Sequence, residues 1–210
     1  MKLLIGQPKF EVGFNQLRKD LELFFEQTLD LVIYPEGYFD SEAALKEARL
    51  LAKEYSVSII SSVRKDGKDI AVAINSNGEL VYFREKTEAN DQSCLRMPLV
   101  FSLEERIIGY LLCMEILKGI RDFPKIPNID IIVHPIGVGM FSEEQLNEWV
   151  TEAKKIAIKN KCFIVGTSHA DGSYKNCGYS IPIAYCFDQN GDKIFLQTNK
   201  VTSKIVEITC

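Results

Sequence analysis

The chain has 210 residues, 46 % of them hydrophobic and 26 % charged, with a net charge of −4. Those values suit a soluble globular protein of one domain, long enough to bury roughly 70 % of its unfolded surface. The acidic balance without a basic run argues against nucleic acid as a partner, no apolar run is long enough to span a membrane, and two histidines leave a zinc site little to draw on.

The opening Met-Lys-Leu-Leu-Ile-Gly-Gln is too short an apolar run for a signal peptide. Lys2 to Gly6 reads as a first strand. A helix over Phe14 to Thr28 follows, with Leu17, Leu21, Phe24 and Phe25 on one stripe. Asp30 to Tyr34 is a second strand, stopped by Pro35. Ser41 caps a helix to about Tyr55 that packs through Ala44, Ala48, Leu51, Ala52 and Tyr55. Val57 to Val63 and Ile70 to Asn75 read as strands, and Asn77-Gly78 supplies a tight hairpin into Leu80 to Arg84.

A polar, irregular stretch from Thr87 to Arg96 leads to strands at Leu99 to Leu103 and Ile107 to Leu112. Between Arg106 and Glu115 the run is apolar with only Gly109 interrupting it, and it delivers Cys113 at its far end. Ile129 to His134 is another strand, again stopped by a proline. Ser142 caps a long helix, with Gln145 placed for a capping box and Glu143 and Glu144 at the positive end of the helix. Strands at Cys162 to Thr167, Ile181 to Phe187 and Lys193 to Gln197 close the chain, the last two joined through Asn190-Gly191, and the tail from Val201 is placed to pair at an edge.

An internal echo organises these elements. Asp30-Leu-Val-Ile-Tyr-Pro35 resembles Asp130-Ile-Ile-Val-His-Pro135, and Ser41-Glu42 resembles Ser142-Glu143. Two strand–helix–strand units whose strands are apolar on both faces require cover on both. The economical solution is a four-layer α-β-β-α sandwich, two mixed sheets packed face to face with helices outside and related by a pseudo-two-fold axis.

Three reactive side chains then stand at comparable places, each at or just beyond a strand end: Glu36, Lys86 and Cys113. Taken singly, each has an ordinary explanation. A loop glutamate is usually solvated, an edge lysine blunts the edge, and a cysteine at the end of an apolar strand is usually small core filler. The six cysteines include no C-x-x-C pair and read as reduced thiols of a cytosolic protein.

In chain order, Leu31-Val-Ile-Tyr-Pro-Glu36, Gly78-Glu-Leu-Val-Tyr-Phe-Arg-Glu-Lys86 and Ile108-Gly-Tyr-Leu-Leu-Cys-Met-Glu115 resemble the three segments that carry the Cys–Glu–Lys site of the nitrilase superfamily, the carbon–nitrogen hydrolases. The resemblance covers nearly the whole chain. It implies a thiol nucleophile at Cys113, a general base at Glu36 and an oxyanion-stabilising Lys86, with substrate contacts from Met114, His134 and Glu88. It further implies a small amide or nitrile substrate, no cofactor, and a cytoplasmic homodimer. Glu115 is expected to anchor backbone. Four departures from the family pattern stand out: loops around the site are short, Arg84 competes with Lys86, none of Glu88, Glu104 or Glu105 clearly supports the lysine, and His134 stands where an asparagine is usual. Two alternatives stay open, an acyltransferase using the same cysteine and a degenerate member that only binds.

Overall fold

The structure is a computed structural model that describes residues 1–9, 11, 15–88 and 94–209. Twelve strands form two six-stranded sheets, in the orders β12-β1-β2-β3-β4-β5 and β11-β10-β9-β8-β7-β6. The first sheet contains β1 (Lys2–Ile5), β2 (Leu31–Ile33), β3 (Ser58–Lys65), β4 (Lys68–Ile74), β5 (Leu80–Glu85) and β12 (Lys204–Glu207). The second contains β6 (Val100–Leu103), β7 (Arg106–Tyr110), β8 (Ile131–Ile136), β9 (Phe163–Ser168), β10 (Ile183–Phe187) and β11 (Lys193–Thr198).

In each sheet three consecutive parallel strands, β1-β2-β3 and β7-β8-β9, lead into two antiparallel ones. The echo in the sequence is this repeat. Helices α1 (Asn15–Leu23) and α2 (Glu42–Glu54) cover the outer face of the first sheet, and α3 (Ile116–Asp122) and α4 (Glu143–Asn160) that of the second. Between the sheets lies a third apolar layer, built from Leu3, Ile5, Ile33, Ile60, Tyr110, Val133 and Val165 among others. The fold is thus the four-layer α-β-β-α sandwich. Strands facing cover on both sides must be apolar throughout, hence the near-continuous runs of β2, β8 and β9.

Several local expectations change. The first predicted helix ends at Leu23 and is followed by a 3₁₀ turn over Phe25–Gln27, so Phe25 is 64 % exposed instead of packing; Phe14 at its predicted start lies outside the described residues. The strand expected over Ile107 to Leu112 ends at Tyr110, and the chain then makes a 3₁₀ turn over Cys113–Glu115 and continues into α3, which was not anticipated. Gly109 allows that return: a Cβ there would stand 2.6 Å from the Phe123 ring and 2.7 Å from Ile132.

Strand β8 runs through Pro135 to Ile136 rather than stopping at it. Its pairing with β7 ends at Val133, and beyond that only β9 flanks it, so a missing N–H is tolerated. Ser142 and Ser41 do cap α4 and α2, accepting from the N–H groups of Gln145 and Ala44, each at 3.2 Å. The Gln145 side chain reaches one residue further than a capping box would, accepting from Phe141 N–H at 2.7 Å. The tail forms β12 against β1, with Cys210 outside the described residues.

Candidate active site

Chain direction brings the carboxyl ends of β2 and β7 to the same end of the sandwich, and the two predicted residues meet there. Glu36 follows β2, is 1 % exposed, and accepts a hydrogen bond from the Cys113 thiol. Lys86, just past β5, donates to Glu36 Oε1 at 2.5 Å. Cys113 itself is 8 % exposed and also accepts from the Gly137 N–H. The three side chains form one connected unit that straddles the seam between the sheets.

The competition between Arg84 and Lys86 is resolved by the alternation of β5. Tyr82, Arg84 and Lys86 point inward, while Val81 and Phe83 face out. Arg84 is absorbed by a bidentate pair with Glu115, at 2.8 and 2.7 Å, both side chains being almost wholly buried. The same Glu115 accepts from Thr87 N–H and Leu112 N–H, each at 2.7 Å. It anchors backbone, as expected, and leaves Lys86 to face the site.

Cys113 adopts a left-handed backbone conformation, φ 52°, which costs a non-glycine residue about 1–2 kcal/mol. The surroundings over-determine it. Glu115 holds the preceding N–H, and His134 Nε2 donates to the Cys113 carbonyl at 2.7 Å while its Nδ1 accepts from Tyr185 Oη at 2.6 Å. A carbonyl can only accept, so the proton sits on Nε2. His134 is fully buried (0 %) with both nitrogens engaged. It supports the Cys113 carbonyl from behind, with both ring nitrogens already committed to protein partners. His169 plays the matching part for Glu36, donating from Nε2 to its carbonyl at 3.0 Å.

Burial lowers the pKa of each histidine to about 4, so both are neutral at neutral pH. A depressed histidine pKa contributes stability fully present above about 6.5 and lost as pH falls toward 4. His134→Asn should therefore flatten part of the drop in melting temperature between those values. It should also lower turnover, since the Cys113 carbonyl loses its prop, and thermal melts with kcat at matched pH check both. An unchanged acid limb would remove the buried histidine from this role.

Of the other predicted contacts, Met114 is 40 % exposed and lines a cleft of about 60 Å³ with Glu88, Leu117 and Lys118. Glu88, Glu104 and Glu105, none of which matched the family's lysine-supporting position clearly, make no ion pair with Lys86. Asp69, which sequence reasoning missed, stands there: its Oδ2 is 4.0 Å from Lys86 Nζ and 2.9 Å from Lys175 Nζ, and its Oδ1 is 3.1 Å from Arg64 Nη1. Asp69 faces Lys86 because a one-residue bulge between Ala73 and Ile74 shifts the β4–β5 register. Without it Glu85 would occupy that place.

Burial pushes the Cys113 thiol up to about 12, reinforced by Glu36 and opposed by Lys86. Burial also raises the Glu36 carboxyl, against the pull of Lys86. The Lys86 ammonium, disfavoured by burial, is held above the usual lysine range by Cys113 and Glu36. The resting thiol is neutral and hydrogen-bonded to the carboxyl group that also holds the Lys86 ammonium.

No protein-family model matches the chain, and no curated protein matches it. Solved structures do. A CN-hydrolase superfamily protein from Xanthomonas campestris, with an arsenic adduct in its active site, is 16 % identical over 100 % of this chain and 90 % of its own, with a TM-score of 0.74. The NitN amidase from a Nesterenkonia species is 14 % identical over 100 % of this chain and 93 % of its own, with a TM-score of 0.78. A carbon–nitrogen hydrolase from Helicobacter pylori is 16 % identical over 97 % and 87 %, also with a TM-score of 0.78. The chain has the carbon–nitrogen hydrolase fold.

Proposed function

We propose, from that shared fold and from the meeting of Glu36, Lys86 and Cys113, that the protein is a thiol-dependent hydrolase of non-peptide carbon–nitrogen bonds, with small amides as substrates. The observation that carries the reading is that one buried carboxylate contacts both the lysine ammonium and the cysteine thiol. A solvated loop glutamate, an edge-blunting lysine and a filler cysteine have no reason to converge.

The chemistry follows from the geometry. Glu36 takes the Cys113 proton as Sγ bonds to the substrate carbonyl carbon. Its raised pKa narrows the gap to the thiol and makes that transfer less uphill. Negative charge moves onto the carbonyl oxygen, where Lys86 and a backbone N–H near Met114 stabilise it. Glu36 then protonates the leaving nitrogen, the C–N bond breaks and a thioester remains on Cys113. Water that gives its proton to Glu36 attacks the thioester, the C–S bond breaks, and the proton returns to sulfur. An amine in place of water would turn the same site into an acyltransferase. The reading includes a cytoplasmic homodimer, supported by the family resemblance.

The test is ammonia release from a series of short amides, together with acid quench during turnover and peptide mass mapping. A thioester mass on Cys113 and on no other cysteine is expected. Ammonia release with an unmodified Cys113 at every quench time would sink the thiol mechanism.

A further inference from the structure

Strands β8, β9 and β10 place His134, Gly166 and Tyr185 in one row across the second sheet, through the pairings His134 with Gly166 and Gly166 with Tyr185. Tyr185 and His134 are thus two strand spacings apart, roughly 10 Å, and their side chains meet only if the strand between them leaves a gap. Gly166 leaves that gap. A Cβ there would stand 2.4 Å from Tyr185 Cζ and 2.7 Å from its Oη, so the phenol lies across β9 where a side chain would otherwise be. Its hydroxyl reaches His134 Nδ1 at 2.6 Å.

Tyr185 is fully buried in the apolar layer beneath α4, stacked on Phe187 with ring centroids 5.0 Å apart, and Trp149 of α4 lies 5.7 Å from the His134 ring. A phenylalanine would fill that layer and bring no polar atom to bury. The hydroxyl does what a phenyl ring cannot: it donates to Nδ1 and so keeps the histidine proton on Nε2. That proton goes to the Cys113 carbonyl at 2.7 Å, which also accepts the Ile116 N–H. In a trans peptide the carbonyl and the following N–H point in opposite directions. Holding the Cys113 oxygen toward His134 therefore turns the Met114 N–H away from the buried layer, at a residue that is itself exposed.

We propose that Tyr185 is a positioning residue that, through His134 and the Cys113 carbonyl, aims the Met114 N–H at the substrate oxygen that becomes negative. The inference rests on the thiol-hydrolase reading of the Cys113 site. Without the hydroxyl the ring exchanges between its two neutral tautomers, and in one of them a bare Nε2 faces the carbonyl. Two lone pairs repel, and the peptide that carries the Met114 N–H turns with its oxygen.

Tyr185→Phe tests this in three ways. The chain has only two histidines, so nitrogen-15 spectra of histidine-labelled protein resolve His134, which should be one neutral tautomer protonated on Nε2 in the wild type and a mixture in the variant. On a short amide such as butyramide, kcat should fall about 10- to 100-fold while KM stays within about threefold. Butyraldehyde and iodoacetamide then separate aim from thiol reactivity. With the aldehyde, Sγ bonds to the carbonyl carbon, the thiol proton passes to Glu36 and a negative oxygen forms where the donors point; alkylation expels iodide and forms no such oxygen. Tyr185→Phe should weaken aldehyde binding about tenfold or more and change Cys113 alkylation less than about twofold. Added to His134→Asn, it should cost less than about twofold, because the ring that relays the effect is gone. A wild-type proton on Nδ1, or a tautomer that Tyr185→Phe leaves unchanged, overturns the inference. So does aldehyde binding that is absent or equal in both proteins, equal slowing of turnover and alkylation, or the same loss in the His134→Asn background. The spectra and the aldehyde comparison need no amide turnover, so their stated results support the positioning role even where the hydrolase reading fails.

Discussion

Removing any one of Glu36, Lys86 or Cys113 should lower kcat by about a thousandfold or more, and a second removal should add less than about tenfold. The expectation follows from connectivity. Glu36 contacts both partners, so Glu36→Gln leaves the thiol without a base and Lys86 without its counter-charge. Lys86→Met leaves a buried carboxylate whose proton becomes harder to give up, because burial and Asp69 then raise its affinity with only Lys175 opposing them. Single and double variants measured on one amide decide the matter. Losses that simply multiply would mean three independent residues, and a Cys113→Ala protein with undiminished turnover would end the proposal. In the wild type, activity should fall on the acid side as Glu36 is protonated, at a pH above the ordinary glutamate range because its pKa is raised.

The second large effect concerns stability. Arg84→Met should destabilise the fold by about 3–5 kcal/mol, because Glu115 is left charged and buried without its bidentate partner. Glu115 would then be held by the N–H groups of Thr87 and Leu112 alone, which loosens the turn that presents Cys113. Replacing both residues, Arg84→Met with Glu115→Leu, should restore much of the stability, since apolar pairs often substitute well for buried ion pairs. Activity should not return, because the Leu112 N–H loses its acceptor and the left-handed Cys113 backbone its restraint. Chemical denaturation read beside kcat tests the split. A double variant that regains turnover would show that the pair holds the core and not the nucleophile.

The strands were legible because burial on both faces forces apolar runs, and Glu36, Lys86 and Cys113 because their three segments follow in the order of the Cys–Glu–Lys site they resemble. Asp69 was hidden within the charged run Arg64-Lys-Asp-Gly-Lys-Asp69, which reads as a solvated hairpin. Only the bulge on β5 sets Lys86 opposite it, and bulges leave little trace in composition. The short α3 was hidden for another reason: its apolar residues continue the run of β7, and periodicity cannot divide a buried strand from a buried helix. The histidines could be placed at strand ends but not given roles. Whether a ring meets substrate or holds a carbonyl depends on the neighbouring strand, and no local pattern records that.

The seam on which the site is built has a further consequence. Glu36 and Lys86 belong to the first sheet and Cys113 to the second, and His169 of the second holds the carbonyl of Glu36 in the first. Neither layer alone contains the proposed site. Turnover is therefore a direct reporter of docking between the layers, sensitive to slippage that leaves every strand and helix intact. The chain divides naturally between β5 and β6, and the two polypeptides so produced would each be inert. Because β12 of the later piece returns to pair with β1 of the earlier one, their reassociation would rebuild both the sheet edge and the catalyst in one event.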